Sequence, residues 1–363
     1  MGRYRADMSR FVLDCAVSRP PDEQTARWLA TALQRAWAPV SGGYHEARTA
    51  HALLVESQQA IATLVGGHSA WFVPDPAAAA AHAVLDLAVR GGFEQVITGA
   101  ADPVILQEQS AAAAAQLGLP HHVLGVAAAG RLRPADLPPR ALLVTAAANQ
   151  EIGALQADLA AWRADTGSAI VLEASCLLGW HELPSYWDRL LLDPRAWGGP
   201  PGAVAVVSRQ SGRPRLSEDV PAAVVSGLTV QRWAQAAPAV RERVRGQVER
   251  IRDRVLAAVP DVEIHGGGPD VLPHILSLSV LYVDAEVLQT RLDALGFGVG
   301  SGSACASRSG QPSHVLAAIG GLSSGNVRLG LPPDLPDSAV DDFATAFVDT
   351  VAGIRAEMGT DRL

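Results

Sequence analysis

The chain has 363 residues, a formal net charge of -8 and 48% hydrophobic residues. That length suits a large domain plus a smaller one with ample core, and the acidic balance argues against general nucleic-acid affinity. No apolar run reaches membrane-spanning length, the opening Met1-Gly-Arg-Tyr-Arg-Ala-Asp lacks a signal-peptide apolar region, and Ala6 stands where myristoylation wants Ser or Thr.

Cys15, Cys176 and Cys305 are far apart and form no metal spacing. A reduced, cytoplasmic protein is the expectation. All 29 Lys and Arg positions are arginine, so the chain has no lysine. Arginine stays protonated and cannot form a Schiff base, whereas a desolvated lysine can.

In chain order, Phe11 to Ala16 reads as a short entering strand. Pro20-Pro21-Asp22 starts a helix through Ala36, with proline and an acidic residue suited to a helix N-terminus. Tyr44 to Val65 predicts a long amphipathic helix ended by Gly66-Gly67. Val73-Pro74-Asp75-Pro76 leads into a helix from Ala77 to Arg90. Gln95 to Thr98 is a strand, and Gly99 to Asp102 a loop before a helix from Pro103 to Leu117. His121 and His122 have no paired ligands and read as surface or strand-start residues. Arg131 to Arg140 is a proline-punctuated loop with a short helix. Ala141 to Thr145 and Ala169 to Glu173 are buried-type strands, with a helix from Ala154 to Thr166 between them that Asn149 and Glu151 can cap.

Ala203 to Val207 is a further strand, and Val230 to Val259 a long helix with Arg and Glu on its polar face. Asp261 to Ile264 and Leu276 to Val283 are strands, His274 before the second reads as structural, and helices follow at Ala285 to Leu295 and Asp337 to Met358. Strands alternating with helices predict an α/β fold. Between the last two helices lies a run of Gly, Ser and Ala with Cys305 in its middle, and a short helix starting at Pro312-Ser313. Such a composition makes an exposed loop. By composition alone it is a surface loop with an incidental thiol. A thiol on a tether is also what sulfur relay needs.

The words of this stretch are Ser301-Gly-Ser-Ala-Cys305, Pro312-Ser-His-Val-Leu, Ala318-Ile-Gly320 and Asn326-Val-Arg328-Leu-Gly330. In this order they resemble the C-terminal signature of cysteine desulfurases, within the class V aminotransferase-like family of pyridoxal-phosphate (PLP) fold type I. The resemblance covers almost the whole chain. Asp14 and Ala16 match the family's opening phrase "YLDYAATTP", and Ala148-Asn149-Gln150-Glu151-Ile-Gly153 matches its "NNEIG". It implies a large domain with a mainly parallel, seven-stranded-type sheet sandwiched by helices, over 15–240. A smaller α+β domain would comprise 1–14 and 241–363. It also implies a homodimer, PLP as family cofactor, Cys305 as persulfide thiol, Asn149 or Gln150 as contacts of cofactor and substrate, and Arg328 gripping the substrate carboxylate. A guanidinium fork matches a carboxylate bidentately.

The sequence departs from the family where PLP is held. Its phosphate cradle, Ser-Gly-Ala-Thr-Glu at a helix start, is replaced by Val73-Pro74-Asp75-Pro76-Ala77-Ala78. Two prolines remove two N–H donors, and Asp75 puts a negative charge where phosphate would sit. Asp102 falls at the ring-stacking histidine, and a carboxylate cannot stack. Glu173 and Cys176 fall at the family's pyridine-nitrogen aspartate and ring-oxygen glutamine. Along Asp193-Pro-Arg195-Ala196-Trp197-Gly-Gly-Pro-Pro201-Gly, which resembles "S-x-H-K-F-G-G-P-K-G", Ala196 takes the Schiff-base lysine's place. Arg195 falls on its histidine neighbour, Asp193 on a phosphate-binding serine and Pro201 on the second lysine. Of a Gly-rich loop that reaches across the dimer, only Ser226-Gly-Leu-Thr229 remains.

The resemblance and these departures leave three readings. One is a degenerate desulfurase-like scaffold or regulator, of a genuine desulfurase or a sulfur acceptor, with no covalently held cofactor. The second is a PLP-independent sulfurtransferase carrying persulfide on Cys305. The third, ranked last, is an active PLP-dependent cysteine desulfurase. None implies nucleic acid, membrane or metal. The old cleft is expected to be lined by Glu173, Cys176, Asn149, Arg195 and Trp197, with Arg195 neutralising Glu173.

Overall fold

The computed structural model describes residues 10–89, 91–212, 218–302 and 313–359. Cys305 and its neighbour Arg308 lie outside the described residues. The chain enters through β1 (Phe11–Val12) and two helices, α1 (Glu23–Arg35) and α2 (His45–Leu64). Asp22 caps α1, its carboxylate accepting Thr25 N–H at 2.8 Å, as the Pro-Pro-Asp start predicts.

β2 (Ser69–Val73), α3 (Pro76–Ala88), β3 (Gln95–Gly99), α4 (Val104–Leu117), β4 (His121–Leu124), β5 (Ala141–Ala146), α5 (Ala160–Thr166), β6 (Ala169–Glu173), β7 (Arg189–Leu192) and β8 (Val204–Ser208) follow. Their strands form one seven-stranded sheet in the order β2-β8-β7-β6-β5-β3-β4. From β7 to β4 all pairings are parallel, and β8 runs antiparallel to both its neighbours. The buried strands are continuous apolar runs because both faces are covered. Leu143, Ile170 and Leu190 face one core, with α2 and the long α6 (Val220–Ala258) over it. Leu142, Val171 and Leu191 face the other, beneath α3 and α4. Alternate residues serve opposite cores because strand side chains alternate in direction. The α/β fold with a mostly parallel sheet is therefore as expected.

A three-stranded antiparallel sheet follows, β12-β10-β9, from β9 (Val262–His265), β10 (Ile275–Val280) and β12 (Val327–Gly330). α7 (Ala285–Ala294), β11 (Phe297–Gly298), α8 (His314–Ile319) and α9 (Asp337–Met358) complete the chain, and β11 pairs in parallel with β1. His274 is fully buried and stacks on Trp180 at 4.2 Å, the structural role its sequence context suggests.

Two helices differ from expectation. α5 begins at Ala160, six residues later than expected, because Gly153 takes φ +73° and Ala154 and Leu155 enter β-bridges with Val271 and Ala148. A left-handed glycine turns the chain away instead of starting a helix. α6 begins at Val220 instead of Val230, so Ser226-Gly-Leu-Thr229 is no loop remnant. Gly227 lies within the helix because α2 is pressed against it: a Cβ there would meet Ser57 Cβ at 2.9 Å. α6 is continuous through Val240, where the sequence reading divides the domains.

The carboxyl ends of the parallel strands form the sheet edge that carries the site. Asp102 ties two of them. Its carboxylate accepts Gly99 N–H at 2.6 Å, Ala146 N–H at 2.9 Å and the Thr145 hydroxyl at 2.9 Å. Burial nonetheless pushes its carboxyl up to about 6. Asp102→Ala would leave three buried donors without an acceptor. It is expected to cost roughly 3 kcal/mol of stability in urea unfolding followed by circular dichroism. A loss within about 0.5 kcal/mol, ordinary for surface changes, would contradict this role.

Candidate functional site

Two adjoining cavities open at this edge. The larger, about 370 Å³, is walled by α3, the start of α4 and the ends of β6 and β7. Glu173, Ser175, Cys176, Asp193, Arg195 and Gln150 supply its polar lining, and Ala79, Leu106, Leu191 and Val204 are among its apolar walls. The smaller, about 60 Å³, is lined by Asn149, Glu151, Ser301, His314 and Arg328. Pro103 and Gln150 line both.

At the mouth of the larger cavity, Asp75 caps α3. Its Oδ1 accepts Ala78 N–H at 2.8 Å, and Pro76 brings no N–H. A helix N-terminus is an anion site by its free N–H groups and its dipole. Here the chain's own carboxylate occupies it.

Arg195 does not neutralise Glu173. Its Nε lies 2.9 Å from Asp193 Oδ2 and its Nη2 2.5 Å from the same oxygen, while Asp193 Oδ1 accepts Arg195 N–H at 3.0 Å. The nearer partner wins because Asp193 is the N-cap of the 3₁₀ turn Pro194–Trp197 that carries Arg195. That bond holds the Arg195 guanidinium above its ordinary range. Glu173 Oε1 accepts Ser175 N–H at 2.8 Å, and no ion pair to Glu173 exists among the described residues. Burial pushes its carboxyl up to about 7, and the charges of Asp193 and Asp102 push in the same direction.

Asn149 and Trp197 do not line the larger cavity. Asn149 donates to Ala101 O at 2.7 Å and accepts Glu151 and Ile152 N–H, so its side chain closes the turn after β5 and meets only the small recess. Trp197 is buried, with its indole N–H towards Thr229 at 3.3 Å. Asp102 also points away from the cavity; Pro103 stands in the wall instead. Ala196 is buried beneath that wall, its carbonyl accepting Arg19 Nε at 2.7 Å.

Arg328 sits on β12 opposite Ser277, and its Nη2 meets Asp14 Oδ1 at 2.6 Å. Its Nε is buried without a hydrogen-bond partner among the described residues. Glu151 accepts the Ser313 hydroxyl at 2.5 Å, and burial raises its carboxyl. The two described thiols are shielded. Burial pushes Cys15 up to about 11, and burial with the Glu173 charge pushes Cys176 well above the ordinary thiol value.

The structure thus brings Glu173, Cys176 and Arg195 together in one cavity and Asn149 and Arg328 in the next. Sequence reading missed Ile105, Leu106 and Ser175 as wall residues. Only the phase of α4 after Pro103 and the turn after β6 decide those.

No protein-family profile matches the chain. A cysteine desulfurase of Trichormus azollae is 28% identical over 152 residues, 41% of this chain and 38% of that protein. A cysteine desulfurase of Bradyrhizobium diazoefficiens is 28% identical over 300 residues, 74% of this chain and 75% of that protein. The match thus spans about two fifths of the first relative's length and three quarters of the second's. The solved structure of a NifS-like protein superposes with a TM-score of 0.83 at 14% identity, covering 95% of this chain and 100% of that one. In sequence and in fold the chain is thus similar to the class V aminotransferase-like cysteine desulfurases, a family whose cofactor is pyridoxal phosphate.

Proposed function

We propose that this chain is a desulfurase-like protein that has lost PLP-dependent chemistry and acts as a scaffold or regulator in sulfur transfer. The observation that carries this reading is the state of the cofactor cleft. The residues present do not fit PLP. Asp75 holds the α3 N-terminus that a phosphate would use, and Asp193 adds a second carboxylate to the same lining. Among the described residues the one cation in the lining, Arg195, is held by Asp193. No lysine exists to form an imine. Glu173 and Gln150 are the lining residues that retain cofactor-type positions, and neither can hold a phosphate.

In this reading the fold supplies surfaces, and the partner is a genuine desulfurase or a sulfur acceptor, with the chain itself a homodimer. Adding the protein to an active cysteine desulfurase should change that enzyme's rate of sulfide release. The protein alone, preincubated with PLP, should release none from L-cysteine. Steady release by the protein alone would refute the reading and favour an active desulfurase.

The burial of Cys15 and Cys176 favours a second reading. A thiol held far above its ordinary pKa forms little thiolate near neutrality and is a poor nucleophile. Cys305 is then the remaining candidate to carry persulfide made elsewhere. In that case Cys305→Ser should abolish acceptance of labelled sulfur from an active desulfurase. Iodoacetamide on the native protein should alkylate Cys305 first, and Cys15 and Cys176 only after unfolding. Earlier modification of Cys15 or Cys176 would contradict the burial argument.

A further inference from the structure

The larger cavity holds a carboxylate with no counter-charge among the described residues. Glu173 ends β6 within the lining, Ser175 N–H meets one oxygen, and its electrostatic neighbours, Asp193 and Asp102, are also acids. The guanidinium of the same lining, Arg195, is committed to Asp193, and Asp75 also lines the cavity. An isolated carboxylate among apolar walls either takes a proton or recruits a cation. The walls are Leu106, Leu191, Val204 and Ala79, and the volume, about 370 Å³, lies within the range of small-ligand sites. Gln150 and Ser175 add polar atoms to the same lining.

We propose that this cavity binds a small primary ammonium on an apolar body, carrying no phosphate or carboxylate, with Glu173 as its counter-ion. The proposal rests on the reading that the cleft no longer takes PLP. The Asp75 carboxylate and the committed arginine disfavour an anion, and the apolar walls favour a hydrocarbon body over a hydrated inorganic cation. Of the charged groups facing Glu173, Asp193 is paired with Arg195, Cys176 stays protonated and Asp102 titrates near 6, so the pH response is set by Asp102 and, at higher pH, by Glu173. With its carboxyl near 7, affinity should rise as pH goes from about 6 to about 8.

The test is isothermal titration calorimetry of the full-length protein with benzylamine, benzyl alcohol and PLP. Benzylamine should bind saturably at one site per chain, and benzyl alcohol at least about tenfold more weakly. Glu173→Gln should weaken benzylamine at least about tenfold and leave benzyl alcohol unchanged, while Glu173→Asp should stay within about threefold of wild type. If Glu173→Gln fails to fold, Glu173→Asp and the amine–alcohol comparison still decide. Equal binding of amine and alcohol, indifference to Glu173→Gln, or absence of saturable benzylamine binding would overturn the proposal. If neither benzylamine nor PLP binds, this proposal alone falls. Saturable PLP binding would contradict the loss-of-cofactor reading as well.

Discussion

A carboxylate at the carboxyl end of a buried parallel strand must be met by something. In this chain Glu173 is met by Ser175 and, among the described residues, by no cation, and much of the cleft is arranged around that imbalance. The guanidinium of the same lining is not free to help, because Asp193 caps the turn that carries Arg195 and reaches it first. The local pairing is favoured because it needs no long reach and satisfies the buried Asp193 carboxylate. Glu173 is left with a raised proton affinity and a cavity in front of it.

The same competition between local and distant partners explains the helix at the cavity's mouth. A Pro-Asp-Pro sequence supplies an N-cap and removes N–H donors in three residues, and α3 is stable by its own means. A cradle open to an external anion leaves backbone donors unsatisfied until the anion arrives. In this chain the helix is self-capped, with the Asp75 carboxylate on its N-terminus. The fold around it is preserved because its support lies elsewhere, in the two apolar cores on either face of the sheet and in ties such as Asp102 across the ends of β3 and β5.

Much of this was legible in the residues. The strands Ala141 to Thr145 and Ala169 to Glu173, the helix Asp337 to Met358 and the capping of α1 follow from apolar runs, spacing and turn chemistry. The departures from the family's cofactor-contact residues, such as Ala196, are legible from motif positions. The Arg195–Glu173 pairing was not, because both it and the Arg195–Asp193 pairing satisfy the charges and only geometry chooses. Asn149 was assigned to the cleft by motif, but its amide is used by the backbone of its own turn. The motif places Asp102 at the ring-stacking position, but the wall holds Pro103, and the Asp102 carboxylate turns inwards to donors that no local pattern reveals. Ser226-Gly-Leu-Thr229 reads by resemblance as the remnant of a family loop, whereas packing against Ser57 of α2 makes glycine necessary inside α6.

The central claim is that the cleft, and not only a missing lysine, has ceased to suit a phosphorylated cofactor. Equilibrium dialysis of the purified protein against PLP, read by visible absorbance on both sides of the membrane, tests it most directly. The account predicts equal absorbance on the two sides across the titration. A saturable excess on the protein side, approaching one PLP per chain and displaced by inorganic phosphate, would contradict it.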